Sequence, residues 1–247
     1  MGYAIQWIRS LLFVGQMYLS MLLVGLAYAP WALVSRRGAY AAIHAYCRWV
    51  MWTASWMVGL KSEIRGTPPT DEVLLAPKHQ SFFDIILITS TIPTPRFIMK
   101  ASLKHAPVLG QFAQRIGCVA VDRGKKAEAI QQMVEGVTAP NAPKGQLVIY
   151  PQGTRVAPGA KKPFKVGTFV LYNETGQKVV PAATNVGVFW PRYGIYRKPG
   201  LAVVEFLDPI EQGLERDAFM KRLESEVETA SDKLMREAGF DLDAVSH

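Results

Sequence analysis

The sequence predicts an α/β fold: a mixed, mostly buried sheet flanked by helices and preceded by an N-terminal membrane-embedded two-helix hairpin. Three observations carry this expectation. An uncharged apolar run lies near the start of the chain, short β-rich runs alternate with helical ones beyond Gly66, and the 247 residues suffice for one such domain with a small appendage. The division falls at residues 1–66 for hairpin and linker and 67–247 for the α/β domain.

The first element is the run Leu11 to Val34, which carries no charge, with Arg9 before it and Arg36-Arg37 after it. Its length is enough to cross a hydrocarbon core of about 30 Å. A second apolar stretch, Tyr40 to Leu60, contains Arg48 and the tryptophans Trp49, Trp52 and Trp56, with Trp31 just upstream. That composition reads as an interfacial or leaflet-embedded helix, so the two stretches form a hairpin bent near Arg36-Arg37-Gly38. Arg9, the apolar run and Ala27-Tyr28-Ala29 also resemble a signal peptide with its cleavage site, but Pro30 would follow the cut and the apolar sequence continues.

Gly66-Thr67-Pro68-Pro69 reads as the linker. Strands are expected at Val73–Ala76, Arg96–Met99, Cys118–Val121, Leu147–Tyr150, Val179–Pro181, Thr184–Phe189 and Ala202–Phe206. Helices are expected at Phe82–Thr89, Pro107–Ile116, Lys126–Val137 and Lys165–Glu174. Near the end, Phe219, Leu223, Val227 and Leu234 recur at helical spacing up to Gly239.

Lysine and arginine outnumber the acids 28 to 20, a net charge of +8, while 49% of the residues are hydrophobic. Together these favour an anionic phospholipid surface over nucleic acid, which has no use for long uncharged apolar stretches. Cys47 and Cys118 belong to no metal or redox spacing, so neither a disulfide framework nor a metal is expected.

The segment most informative about chemistry is Lys78-His79-Gln80-Ser81-Phe82-Phe83-Asp84, where a strand ends and a helix begins. Were it all helical, residues five apart would sit about 140° around the axis, and imidazole and carboxylate would point apart. They can meet across a strand-to-helix turn, with Ser81 as N-cap and Asp84 in the first helical turn. The carboxylate would then hold one ring nitrogen and leave the other as a general base, a triad without its serine. Ser81-x-x-Asp84 alone is also a capping box, and a lone histidine beside a strand end is commonly structural.

A His-x-x-x-x-Asp motif after a strand resembles the first motif of the glycerolipid acyltransferases, the family that includes the 1-acylglycerol-3-phosphate acyltransferases. Gly117-Cys118-Val119-Ala120-Val121-Asp122-Arg123 resembles the second motif, Tyr150-Pro151-Gln152-Gly153-Thr154-Arg155 the third, and Val179-Val180-Pro181-Ala182 the fourth. Lys100 matches a basic position upstream of the second. The resemblance implies His79 as general base, Asp84 as its orienter, and an acceptor site drawn from Lys100, Arg123, Gln152, Gly153, Thr154 and Arg155. Of these, Arg123 would bind phosphate, with Arg155 a second fork donor after a strand.

Gly153 and Thr154 fall in a tight turn whose N–H groups are candidate oxyanion donors, though a simple β-turn would use the same residues. Two positions depart from the family's pattern: Lys78 where asparagine is common, and Gln152 where glutamate is common.

The implied reaction is transfer of a fatty acyl group from acyl-CoA or acyl carrier protein, as co-substrate rather than cofactor, to the sn-2 hydroxyl of 1-acylglycerol-3-phosphate. The product would be phosphatidic acid in phospholipid biosynthesis, with direct attack by the acceptor. The enzyme would sit at the inner membrane with its site facing the cytoplasm. Lys104, Lys125, Lys126, Lys144, Lys161, Lys162 and Lys165 are candidates for a basic face towards lipid and donor. Other lysolipid acceptors, an acyl thioesterase and a non-enzymatic lipid-binding protein remain open alternatives.

Overall fold

The computed structural model describes residues 2–122, 124 and 126–245. Seven strands form one sheet in the order β1-β7-β6-β2-β5-β3-β4. They are β1 (Leu60–Arg65), β2 (Leu74–Pro77), β3 (Pro95–Lys100), β4 (Val119–Val121), β5 (Gln146–Val148), β6 (Val179–Thr184) and β7 (Gly200–Phe206). From β6 to β4 all neighbours are parallel, whereas β7 meets β6 antiparallel and carries β1 parallel at its outer side. The sheet is therefore mixed, as expected.

Two features of the sheet differ from the sequence reading. Leu60–Arg65, assigned there to the hairpin and linker, is an edge strand running alongside β7 from Leu60↔Gly200 to Arg65↔Glu205. The predicted strand Thr184–Phe189 ends at its first residue, and Val186–Val188 forms a 3-10 turn. The cause is Asn185, whose side chain accepts from the Val203 N–H at 2.7 Å and so takes over the bonding to β7. Thr184 Oγ1 meanwhile accepts from the Val186 N–H and donates to the Val203 carbonyl. Side chains satisfying the backbone in place of a ladder end the strand, despite the β-branched sequence that follows.

Helices α1 (Tyr3–Val34) and α2 (Arg36–Met57) form the N-terminal hairpin. In α1, Gln6, Ser10, Phe13, Met17 and Ser20 are buried at alternating spacings of four and three, a single stripe along the helix. The opposite face exposes Ile8, Leu12, Leu19, Leu23 and Leu26. α1 is the one helix among the described residues long and apolar enough to cross a membrane, and α2 exposes Trp49, Trp52 and Trp56.

The hairpin shares the main core of the domain. Phe13, Met17, Cys47, Val50 and Ala54 belong to the same apolar cluster as Phe83, Ile86 and Leu87 of α3 (Phe83–Thr91). Phe13 meets the Trp190 ring edge-on at 5.5 Å between centroids, and Trp190 stacks on Phe83 at 5.0 Å. Polar contacts add to this: Gln6 Nε2 donates to the Val58 and Arg197 carbonyls, and Arg9 to Trp56 at the C-terminal end of α2.

The remaining helices are α4 (Leu109–Arg115), α5 (Lys126–Thr138), α6 (Gly167–Thr175) and α7 (Arg216–Glu237). Phe219, Leu223, Val227 and Leu234 of α7 are all fully buried, the face the helical periodicity predicts. Gly25 of α1 has no Cβ where the Val108 side chain before α4 approaches; a Cβ there would stand 2.4 Å from Val108 Cγ1.

Because Phe13 lies in the shared core, Phe13→Ala is expected to destabilise the whole protein by about 3–5 kcal/mol. Thermal unfolding in detergent checks this; an unchanged midpoint would mean that α1 is a separable appendage.

Candidate active site

His79 and Asp84 meet across the bend between β2 and α3. β2 ends at Pro77, and the Lys78 N–H donates to the Ala182 carbonyl at 2.8 Å, which fixes the chain just before the histidine. The chain then turns, and Asp84, second residue of α3, points back into the turn. Its Oδ2 accepts from the backbone N–H groups of Gln80 (2.8 Å) and Ser81 (2.7 Å), and its Oδ1 lies 3.0 Å from His79 Nδ1.

Ser81 does not cap the helix in the expected way. Phe82 is the N-cap, and Ser81 Oγ accepts from the Phe83 N–H at 3.2 Å. The reciprocal half of a capping box survives, since the Asp84 carboxylate takes the Ser81 N–H.

A carboxylate can only accept, so Nδ1 carries the proton and Nε2 presents a lone pair. Among the described residues no hydroxyl or thiol bonds to Nε2. Cys47 is buried in the hairpin core, and the Cys118 sulfur accepts from the Phe97 N–H. Burial pushes both thiols up, Cys118 to about 11, so neither is a ready thiolate. Asp84 is fully buried, and His79 is 8% exposed.

Tyr150 is a site residue whose role the sequence did not reveal, although it stands in the third motif. Its ring stacks on His79, with centroids 3.8 Å apart and planes 21° from parallel, and its hydroxyl donates to Asp84 Oδ1 at 3.4 Å. Burial, and secondarily the Asp84 charge, hold its hydroxyl well above the usual tyrosine range. It remains a neutral donor at neutral pH. No signal in spacing marks it; only tertiary stacking does.

The third motif wraps the other side of His79. The Gly153 N–H donates to the Tyr150 carbonyl at 2.8 Å, closing a turn with Gly153 at φ +68°. The Gly153 N–H is thus engaged in the β-turn that was the alternative to an oxyanion role for these residues. The Thr154 N–H has no backbone acceptor among the described residues. Val156 then donates to the His79 carbonyl at 2.8 Å, seating the loop against the histidine.

Arg155 and Arg192 are held side by side, each donating a guanidinium N–H to the other's carbonyl, at 3.2 and 3.1 Å. Among the described residues neither has a carboxylate partner, so two cations share this edge. Arg192 is a second residue that the sequence reading missed.

Lys100 is exposed at the C-terminal end of β3, on the same sheet edge as His79 and two strands away, about 10 Å by ladder spacing. Gln152 is 1% exposed, and its amide nitrogen donates to the Lys162 carbonyl and to Glu228 of α7, both at 3.1 Å. Arg123 lies outside the described residues, as do Lys125 and the side chain of Lys126. Lys104, Lys161, Lys162 and Lys165 are exposed on the active edge. Lys144 precedes β5 and sits at the opposite, N-terminal end of the parallel strands, so it is no part of that face.

Residues 61–185 match the profile of the Acyltransferase family. A 1-acyl-sn-glycerol-3-phosphate acyltransferase of Pseudomonas aeruginosa is 26% identical over 160 residues, 64% of this chain and 62% of that protein. One from Saccharomyces cerevisiae is 31% identical over 142 residues, 56% of this chain and 46% of that protein. The chain thus spans about half to three-fifths of the curated relatives it matches. The crystal structure of the 1-acyl-sn-glycerophosphate acyltransferase PlsC from Thermotoga maritima superposes with a TM-score of 0.75 at 19% identity, covering 92% of this chain and 97% of that one. That likeness establishes the fold.

Asp84→Asn sets an amide nitrogen against N–H donors and is expected to lower stability by about 1–3 kcal/mol, read as a lowered unfolding midpoint. The raised Tyr150 hydroxyl means that the folded state keeps a proton the unfolded chain releases. Stability is therefore expected to fall as pH rises above about 10, the ordinary tyrosine value, and Tyr150→Phe to flatten that limb of the unfolding profile.

Proposed function

This chain belongs to the acyltransferase family, and from that premise we propose that it transfers a fatty acyl group from an acyl thioester to the sn-2 hydroxyl of 1-acylglycerol-3-phosphate. The observation that carries the reading is His79, held by Asp84 at Nδ1, with no protein nucleophile among the described residues bonded to its Nε2. The attacking group then comes from outside the protein, and in the reaction proposed it is the acceptor's own hydroxyl.

His79 Nε2 takes the proton of that hydroxyl as its oxygen attacks the thioester carbonyl. A tetrahedral oxyanion forms, with the Thr154 N–H as an available donor in the turn beside His79. The C–S bond breaks, and the departing thiolate receives the proton from the imidazolium, whose charge Asp84 balances. One ester bond replaces one thioester, and the enzyme forms no covalent intermediate. The donor is acyl-CoA or acyl carrier protein.

Arg155 and Arg192 supply fork donors for the acceptor's phosphate, and Lys100 extends the same positive edge; Arg123 keeps the phosphate role that the second motif implies. Association with a membrane is supported by the outward apolar face of α1 and the tryptophans of α2; the inner membrane, with the site towards the cytoplasm, is the location we propose. The hairpin reaches the site through Phe13, Trp190 and Phe83, the residue preceding Asp84. It holds the catalytic bend beside the bilayer surface where the acceptor lies.

Purified protein given a long-chain acyl-CoA or acyl carrier protein with a panel of lysophospholipids is expected to acylate 1-acylglycerol-3-phosphate, and His79→Ala to lose about 10²–10⁴-fold of that rate. Thioester hydrolysis that ignores the acceptor would instead identify a thioesterase. Arg155→Ala is expected to raise KM for the lysolipid about 10- to 100-fold, the value of one charge-assisted hydrogen bond, with little change in KM for the donor.

A further inference from the structure

Lys78, immediately before the catalytic histidine, is 2% exposed, yet it is a lysine. Its ammonium reaches the Glu228 carboxylate on α7, with Nζ 2.6 and 2.5 Å from the two oxygens. The same carboxylate oxygen Oε1 accepts from Gln152 Nε2 at 3.1 Å. One side chain of α7 thus binds the residue preceding His79 and the residue preceding Gly153, the two segments that bracket the imidazole.

The geometry of the bend explains why. Successive residues of extended chain point to opposite sides, so Lys78 and Gln80 face one way while His79 faces the other. Gln80 also reaches α7, its Nε2 lying 3.3 Å from Met235 Sδ, and its Oε1 accepts from the Gly187 N–H at 3.0 Å. Glu228 and Met235 are seven residues apart, two turns on one face of α7. Among the described residues the ion pair of Lys78 is with Glu228.

We propose that Glu228 is a positioning residue of the active site: its charge balances buried Lys78 and, by holding Lys78 and Gln152 together, sets His79 against the Gly153–Arg155 turn. A buried cation without its counter-charge is destabilised where it stands, and any move of Lys78 towards water drags the histidine's backbone with it. The neighbouring Gln152 offers an internal check. An acid there would stand within about 6 Å of Nζ, close enough to replace the missing charge.

The inference rests on the transfer reaction proposed above, and its test separates the two. In full-length protein in detergent, with 1-acylglycerol-3-phosphate and acyl-CoA or acyl carrier protein as substrates, Glu228→Gln keeps the shape and removes the charge. It is expected to lower kcat about a hundredfold, the scale of a misplaced catalytic group, with KM for both substrates changed less than about threefold. It should also lower the unfolding midpoint. Gln152→Glu combined with Glu228→Gln restores the charge from the other side and is expected to recover most of both losses.

Wild-type kcat in Glu228→Gln overturns the proposal, as does a double variant as impaired as the single one. Should Glu228→Gln prove insoluble, the double variant still decides: soluble and active supports charge balance at Lys78, insoluble overturns it. The unfolding midpoints report the Lys78–Glu228–Gln152 coupling without any substrate. If the wild type acylates no lysophospholipid while the midpoints show the coupling, it is the assigned reaction that fails.

Discussion

The Asp84 carboxylate is the constraint on which the rest of the site depends. Fully buried, it takes two backbone N–H groups and the histidine Nδ1, so the anion is satisfied only when the bend from residue 79 to 84 is made. A buried charge is tolerated when hydrogen bonds replace water, and here the replacements are the turn itself and the His79 ring. Folding of the bend and orientation of the imidazole are therefore one event. Tyr150 completes the enclosure by lying flat against the imidazole and adding a neutral donor to the same acid.

The apolar hairpin is part of this construction rather than an attachment to it. Its buried stripe meets α3 and Trp190, the surroundings of Asp84, while its other face is left apolar and outward. A helix with two apolar faces, one packed and one open, serves both a protein core and a lipid surface. The strand that follows the hairpin, Leu60–Arg65, joins the sheet at its edge, so chain continuity alone ties the two regions tightly.

Behind the site, α7 meets the bend where this chain departs from the family pattern it resembles. Lys78 stands where asparagine is common and Gln152 where glutamate is common, and both reach Glu228. Two unrelated-looking substitutions become one arrangement, in which a carboxylate from a distant helix answers a buried ammonium.

The sequence by itself determined the α/β class, most strands of the parallel stretch, the buried face of α7 and the pairing of His79 with Asp84. The first three follow from apolar periodicity and turn residues, and the pairing from the resemblance of His-x-x-x-x-Asp to the family's first motif, with a five-residue spacing that can close only across a bend. It did not determine that the Gly153 N–H is already bonded, that Val186–Val188 leaves the sheet, that Leu60–Arg65 enters it, or that Tyr150, Arg192 and Glu228 stand around the site. Only the tertiary structure decided those, because each depends on which group from far along the chain arrives to satisfy a backbone bond, a ring face or a buried charge. Such partners leave no periodicity in the residues that receive them.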